Sequence, residues 1–138
     1  MHLITFNIQN MSLIIVLIIF SSISFIYYGI NSVYSKKMIL EYNRWGFGRL
    51  RLFIGWCQLL GGTGLIIGLL HPLLNPLVCI TSFLLSFMML TAVITRIKSK
   101  DGVINTLPSV FYTILNTIIF FIFCCNKSKQ IMYLFKTL

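Results

Sequence analysis

The chain has 138 residues, of which 58% are hydrophobic and 9% charged. Soluble domains carry about 25% charged residues, so this composition excludes a water-solvated globular enzyme. The net charge of +9 comes from eleven Lys and Arg against two acids, Glu41 and Asp101. In a soluble protein that excess would point to nucleic acid. Here the basic residues flank long apolar runs, so anionic lipid headgroups are the expected partner and nucleic acid is not.

Four apolar runs fill the chain: Ser12 to Tyr34, Leu50 to Leu70, Leu77 to Thr95 and Leu107 to Cys125. Roughly 20 apolar residues cross the hydrocarbon layer as a helix. None of the runs contains an acid, and Arg51 is their only charged residue. The expectation is one domain over residues 1–138, an all-α, antiparallel four-helix transmembrane bundle. The first run resembles a secretory signal at Leu13 to Phe20. It has no preceding Lys or Arg and continues to Tyr34, so it is read as a retained span.

Span one holds Ser21, Ser22 and Ser24 and ends in Tyr27, Tyr28, Asn31 and Tyr34, residues suited to the membrane boundary. The segment from Ser35 to Arg49 mixes Lys36, Lys37, Arg44 and Arg49 with Tyr42, Trp45 and Phe47. It is expected to lie as a loop in the interface. Span two carries Gly55, Gly61, Gly62, Gly64 and Gly68. His71, Pro72, Asn75 and Pro76 then allow only a tight turn. Span three ends in a second basic loop with Arg96, Lys98, Lys100 and Asp101, read as a solvated topology signal. Pro108 is placed in the first turn of span four. The tail from Asn126 to Leu138 holds an apolar stretch, Ile131 to Phe135, too short to cross the membrane and suited to its surface.

Eight basic residues belong to the loops after spans one and three, against three in the tail: Lys127, Lys129 and Lys136. The positive-inside rule therefore puts both basic loops in the cytoplasm and both termini outside. A bacterial plasma membrane is the expected location.

Gly61, Gly64 and Gly68 share one helix face. Small residues there let a neighbouring backbone approach closely. The expectation is packing within the bundle, with a dimer seam as the alternative. Arg51 and Gln58 are seven residues apart on one face of span two. With Arg96, Asn31 and Asn116 they form a candidate polar pocket, because polar groups inside a bilayer turn toward other helices. The bland alternative is interhelical hydrogen bonding plus an arginine reaching for phosphate.

The segment Gly55-Trp56-Cys57-Gln58-Leu59-Leu60-Gly61-Gly62-Thr63-Gly64-Leu65 resembles the central signature of the DoxX and DoxX-like membrane proteins. Pro72, Leu74, Met89, Ala92, Arg96, Leu107 and Pro108 agree in order, so the resemblance covers roughly Tyr42 to Phe123. It implies a four-helix integral membrane protein. The family takes its name from a subunit associated with a thiosulfate:quinone oxidoreductase. An accessory subunit and a quinone-linked role are therefore what the resemblance implies. Where the family usually has an acid, this chain has Gln58, and an amide cannot carry a proton as a carboxylate can.

No catalytic residue and no metal site is expected. Cys57, Cys79, Cys124 and Cys125 contain no CxxC pair, and Cys57 and Cys79 suit buried apolar positions. His2 and His71 fall outside the spans and make a poor metal or haem site. No nucleophile–base pair lies in any span. The expected function is that of an accessory or assembly subunit of a membrane complex, bound to membrane lipids and to a membrane protein or a second copy. A quinone- or lipid-linked redox subunit is the first alternative, with quinone carbonyls near Gln58, Arg51 or Tyr28. The second is an oligomeric small-molecule transporter, because four spans are few for a transport path.

Overall fold

The computed structural model describes the backbone of residues 2–137. It describes the side chains of residues 12–124 other than Pro72. The expectations for His2, Cys125 and the tail lysines fall on side chains outside that set.

Five helices follow one another: α1 (His2–Tyr34), α2 (Lys36–Arg44), α3 (Arg51–Leu70), α4 (Asn75–Lys98) and α5 (Val103–Thr137). Four helical stretches are long and apolar enough to cross a membrane: Ser12–Tyr34, Gly48–Leu70, Asn75–Lys98 and Val103–Cys124. Around the bundle, α1 packs on α3, α3 on α4, α4 on α5 and α5 back on α1. The core between them holds Ile18, Phe25, Leu65, Val78, Leu85, Met89, Tyr112, Leu115 and Ile119. Large apolar side chains such as Leu13, Ile23, Leu70, Ile104 and Phe121 stay exposed on the outer surface. In water such a surface would aggregate; in a bilayer it meets acyl chains.

Two sequence expectations change. The interfacial segment after span one is a helix, α2, rather than a loop. Its Tyr42 is buried while Lys36, Lys37 and Arg44 face outward, so it packs its apolar stripe against the bundle. Span four starts at Val103, so Pro108 lies inside α5 and not in its first turn. The missing proline N–H leaves the Ile104 carbonyl without its usual helical donor. Ser109 Oγ donates nearby, to the Thr106 carbonyl at 2.8 Å. Beyond the apolar stretch Val103–Cys124, α5 continues as helix to Thr137.

Two helices end in the same way at one end of the bundle. After α2, Gly46 takes φ +80°; Gly46 N–H donates to the Asn43 carbonyl and Phe47 N–H to the Tyr42 carbonyl. After α4, Lys100 takes φ 56°; its N–H donates to the Ile97 carbonyl and Asp101 N–H to the Arg96 carbonyl. Both are Schellman caps, which turn the chain sharply back on the last helical turn. They set Trp45 and Asp101 facing one another.

Candidate functional site

The glycines of α3 work on two faces. Gly61, Gly64 and Gly68 face α4, where a Cβ on each would strike Leu85, Thr81 and Val78. Gly55 and Gly62 face α1. A Cβ on Gly62 would come within 2.9 Å of the Ser22 carbonyl oxygen. Gly29 of α1 completes that seam, its Cβ position 3.0 Å from the Gly55 carbonyl oxygen. The α1 seam was not read from the sequence, although Gly55 and Gly62 at a seven-residue spacing carried the signal.

Near the two caps, α3 and α4 enclose a cleft of about 780 Å³. Its walls are mainly apolar: Phe53, Ile54, Cys57 and Leu60 from α3, and Leu84, Phe87, Met88 and Ala92 from α4. Tyr28, Ser109 and Tyr112 line it from α1 and α5, and Tyr42, Trp45 and Phe47 from the α2 segment. Polar side chains are few: Gln58, Tyr28, Tyr42, Thr81, Thr91, Thr95, Arg96, Ser109 and Tyr112, with the Thr81 and Thr91 hydroxyls bonded to carbonyls of their own helix. A mostly apolar concavity with a few placed polar groups is the usual form of a small-molecule site.

Gln58 is buried in that wall. Ser32 Oγ donates to its Oε1 at 3.1 Å, and the Tyr42 hydroxyl lies 3.4 Å from the same Ser32 Oγ. Arg51 turns away from the cleft and donates to the Ser32 carbonyl and, at 2.6 Å, to the Val33 carbonyl. It thereby covers the carbonyls that the end of α1 leaves over. Burial pushes the Tyr42 hydroxyl above its ordinary value of 10.0; the charges of Arg96 and Arg51 oppose this.

At the rim sits an ion-pair knot. Asp101 Oδ1 lies 2.8 Å from an Arg44 nitrogen, a close charge contact set off the hydrogen-bonding direction. Asp101 Oδ2 accepts from Trp45 Nε1 at 3.3 Å and lies 3.7 Å from Arg96. The Arg96 guanidinium stands 4.7 Å over the Trp45 ring. The Asp101 side chain is 1% exposed, so the expectation of a solvated loop acid is wrong. Sequence gave no warning, because its partner Trp45 lies 56 residues away.

The five candidate polar residues do not meet in one pocket. Arg51 and Gln58 converge on Ser32, and Arg96 joins Asp101 and Trp45 at the rim. Asn31 bonds within its own helix, to the Tyr27 carbonyl at 3.0 Å. Asn116 is fully buried elsewhere: its Oδ1 accepts from Ser21 Oγ at 3.1 Å and its amide donates to the Tyr112 carbonyl. Tyr112 in turn donates to Ser24 at 2.8 Å and packs on Phe20, Phe25 and Tyr28. Cys57 and Cys79 are half-buried rather than buried, and Cys57 lines the cleft. Among the described residues no group of three or more His, Cys, Asp or Glu could hold a metal.

A model of the DoxX-like family matches residues 13–119, more than three quarters of the chain. The chain belongs to the DoxX-like family. The match takes in the first span, which the sequence resemblance had left out. No curated protein and no solved structure matches the chain. The family and the four apolar helices establish a small, multi-pass integral membrane protein.

Proposed function

We propose that this protein is an accessory subunit of a membrane complex that holds a lipid-soluble molecule between α3 and α4. The observation that carries the reading is the cleft itself. It pairs an apolar wall of bilayer character with buried hydrogen-bonding groups at one end. A solely structural bundle would gain by filling such a space, since unfilled volume forfeits dispersion contacts. The basic end, with Arg44, Arg49, Arg51 and Arg96, is assigned to the cytoplasmic face of a plasma membrane, with both termini outside. The cleft then lies in the cytoplasmic half of the bilayer, open to a partner bound there.

The residues present fit a quinone as one such molecule. Gln58 and Tyr28 line the cleft and would donate to a ring carbonyl, whereas Arg51 is committed to the α1 carbonyls. Native mass spectrometry of the protein in mild detergent tests the reading. A stoichiometric lipid-soluble adduct, together with a larger membrane protein in the same pull-down, is expected. Protein with neither adduct nor partner contradicts it.

A further inference from the structure

We propose that Gln58 is oriented with its amide N–H groups toward the cleft, where they donate to an uncharged carbonyl oxygen on the bound molecule. The inference rests on the cleft being a ligand site and names what that site selects.

Gln58 is 5% exposed and lines the cleft. A carboxamide offers one oxygen acceptor and two N–H donors. The oxygen takes the Ser32 proton. Ser32 has only that proton to give, so its oxygen must accept from Tyr42. The relay thus runs from the Tyr42 hydroxyl to the Ser32 hydroxyl to the Gln58 oxygen. Run backward, it would leave the Tyr42 proton without an acceptor among the described residues and turn the Gln58 oxygen onto an apolar wall. Arg51, bonded to the Ser32 carbonyl, adds a positive charge on the same side and favours the amide oxygen there. The forward relay satisfies every member except the Gln58 N–H groups. These N–H groups open onto the cleft and are not sealed in the interior. A donor facing apolar walls without a partner is costly, and a ligand oxygen in the cleft removes that cost.

Charge narrows the ligand further. The cation in the cleft wall is Arg96, at the rim, and it faces Asp101 and the Trp45 ring. At the depth of Gln58 the wall offers neutral donors only. An anionic headgroup is poorly matched there; a carbonyl on an apolar body is well matched. Two sources supply it: the ester carbonyl of a neutral acylglycerol and the ring carbonyl of a quinone.

The test uses the full chain in detergent micelles. Trp56→Phe leaves Trp45, in the cleft wall, as the single tryptophan. Three quenchers are titrated: a diacylglycerol with brominated acyl chains, a decyl-substituted quinone, and a bromoalkane without oxygen. The carbonyl probes are expected to quench saturably, and the tighter of the two identifies the source. Gln58→Leu is expected to weaken the carbonyl probes roughly 3- to 10-fold. Tyr42→Phe, which disorients the amide, is expected to weaken them by a smaller factor. Bromoalkane binding is expected to stay unchanged in both variants, which shows that the cleft is intact. Equal loss for all three probes, or no loss for any, overturns the role of Gln58 and leaves the cleft reading standing. Absence of saturable quenching by every probe overturns the cleft reading itself.

Discussion

The two halves of α3 meet α4 in opposite ways. From Gly61 to Gly68, side chains of α4 fill the space left by three glycines, and the helices close on one another. From Phe53 to Leu60, bulky side chains face a cleft instead. Both halves are apolar and both lie in the membrane. The difference comes from residue size. Without a hydrophobic drive between helices in lipid, close approach depends on small residues. Where they stop, the helices no longer fit together, and the opening is bridged at the rim by α2 and the Asp101 knot.

This contrast can be broken most severely in the closed half. Gly68→Leu would drive a side chain into Val78 and its backbone nitrogen. A loss of about 3 kcal/mol is expected, seen as a fall in thermal unfolding temperature in detergent and in folded yield. An unchanged unfolding temperature would show that the glycine face is not a seat for α4.

Next comes the rim. Asp101→Asn leaves Arg44 and Arg96 without their shared counter-charge. Breaking a fully buried pair costs about 3–5 kcal/mol. Arg44 is 55% exposed, so solvent screening reduces this to about 2 kcal/mol. The loss is expected to fade little in high salt, because the Asp101 end is buried.

The open half is expected to be tolerant. Leu60→Ala removes a side chain that is 68% exposed and changes stability by less than about 0.5 kcal/mol. The same measurement as for Gly68→Leu therefore sharpens the contrast between the two halves.

The smallest effect is on pH dependence. Tyr42 in the folded protein ionises above 10.0, later than in the unfolded chain. Its contribution is complete below pH 10 and declines as pH rises from there toward the folded value. Tyr42→Phe is expected to flatten that alkaline decline in thermal unfolding measured from pH 9 to 11. An identical slope in the variant would remove Tyr42 as its source.

The four spans were legible because length and hydropathy alone specify them. The glycine face was legible from spacing, although its partner, α4, was not. The helix α2 was hidden because nine residues with three cations read locally as a polar loop. The burial of Asp101, and the pairing of Asn116 with Ser21 across 95 residues, depend on topology rather than on local pattern. The cleft was hidden for a different reason. Phe53, Leu84 and Phe87 would read the same in sequence whether they faced lipid or a ligand.

The central claim is that the open half of α3 and α4 holds a discrete molecule rather than bulk lipid. It is tested most directly by comparing two single-tryptophan variants. Trp56→Phe reports from Trp45 in the cleft, and Trp45→Phe reports from Trp56, which is 59% exposed outside it. With a brominated carbonyl amphiphile, Trp45 is expected to be quenched along a saturating curve and Trp56 in simple proportion to the mole fraction of probe. Matching, non-saturating curves at both positions would contradict the account.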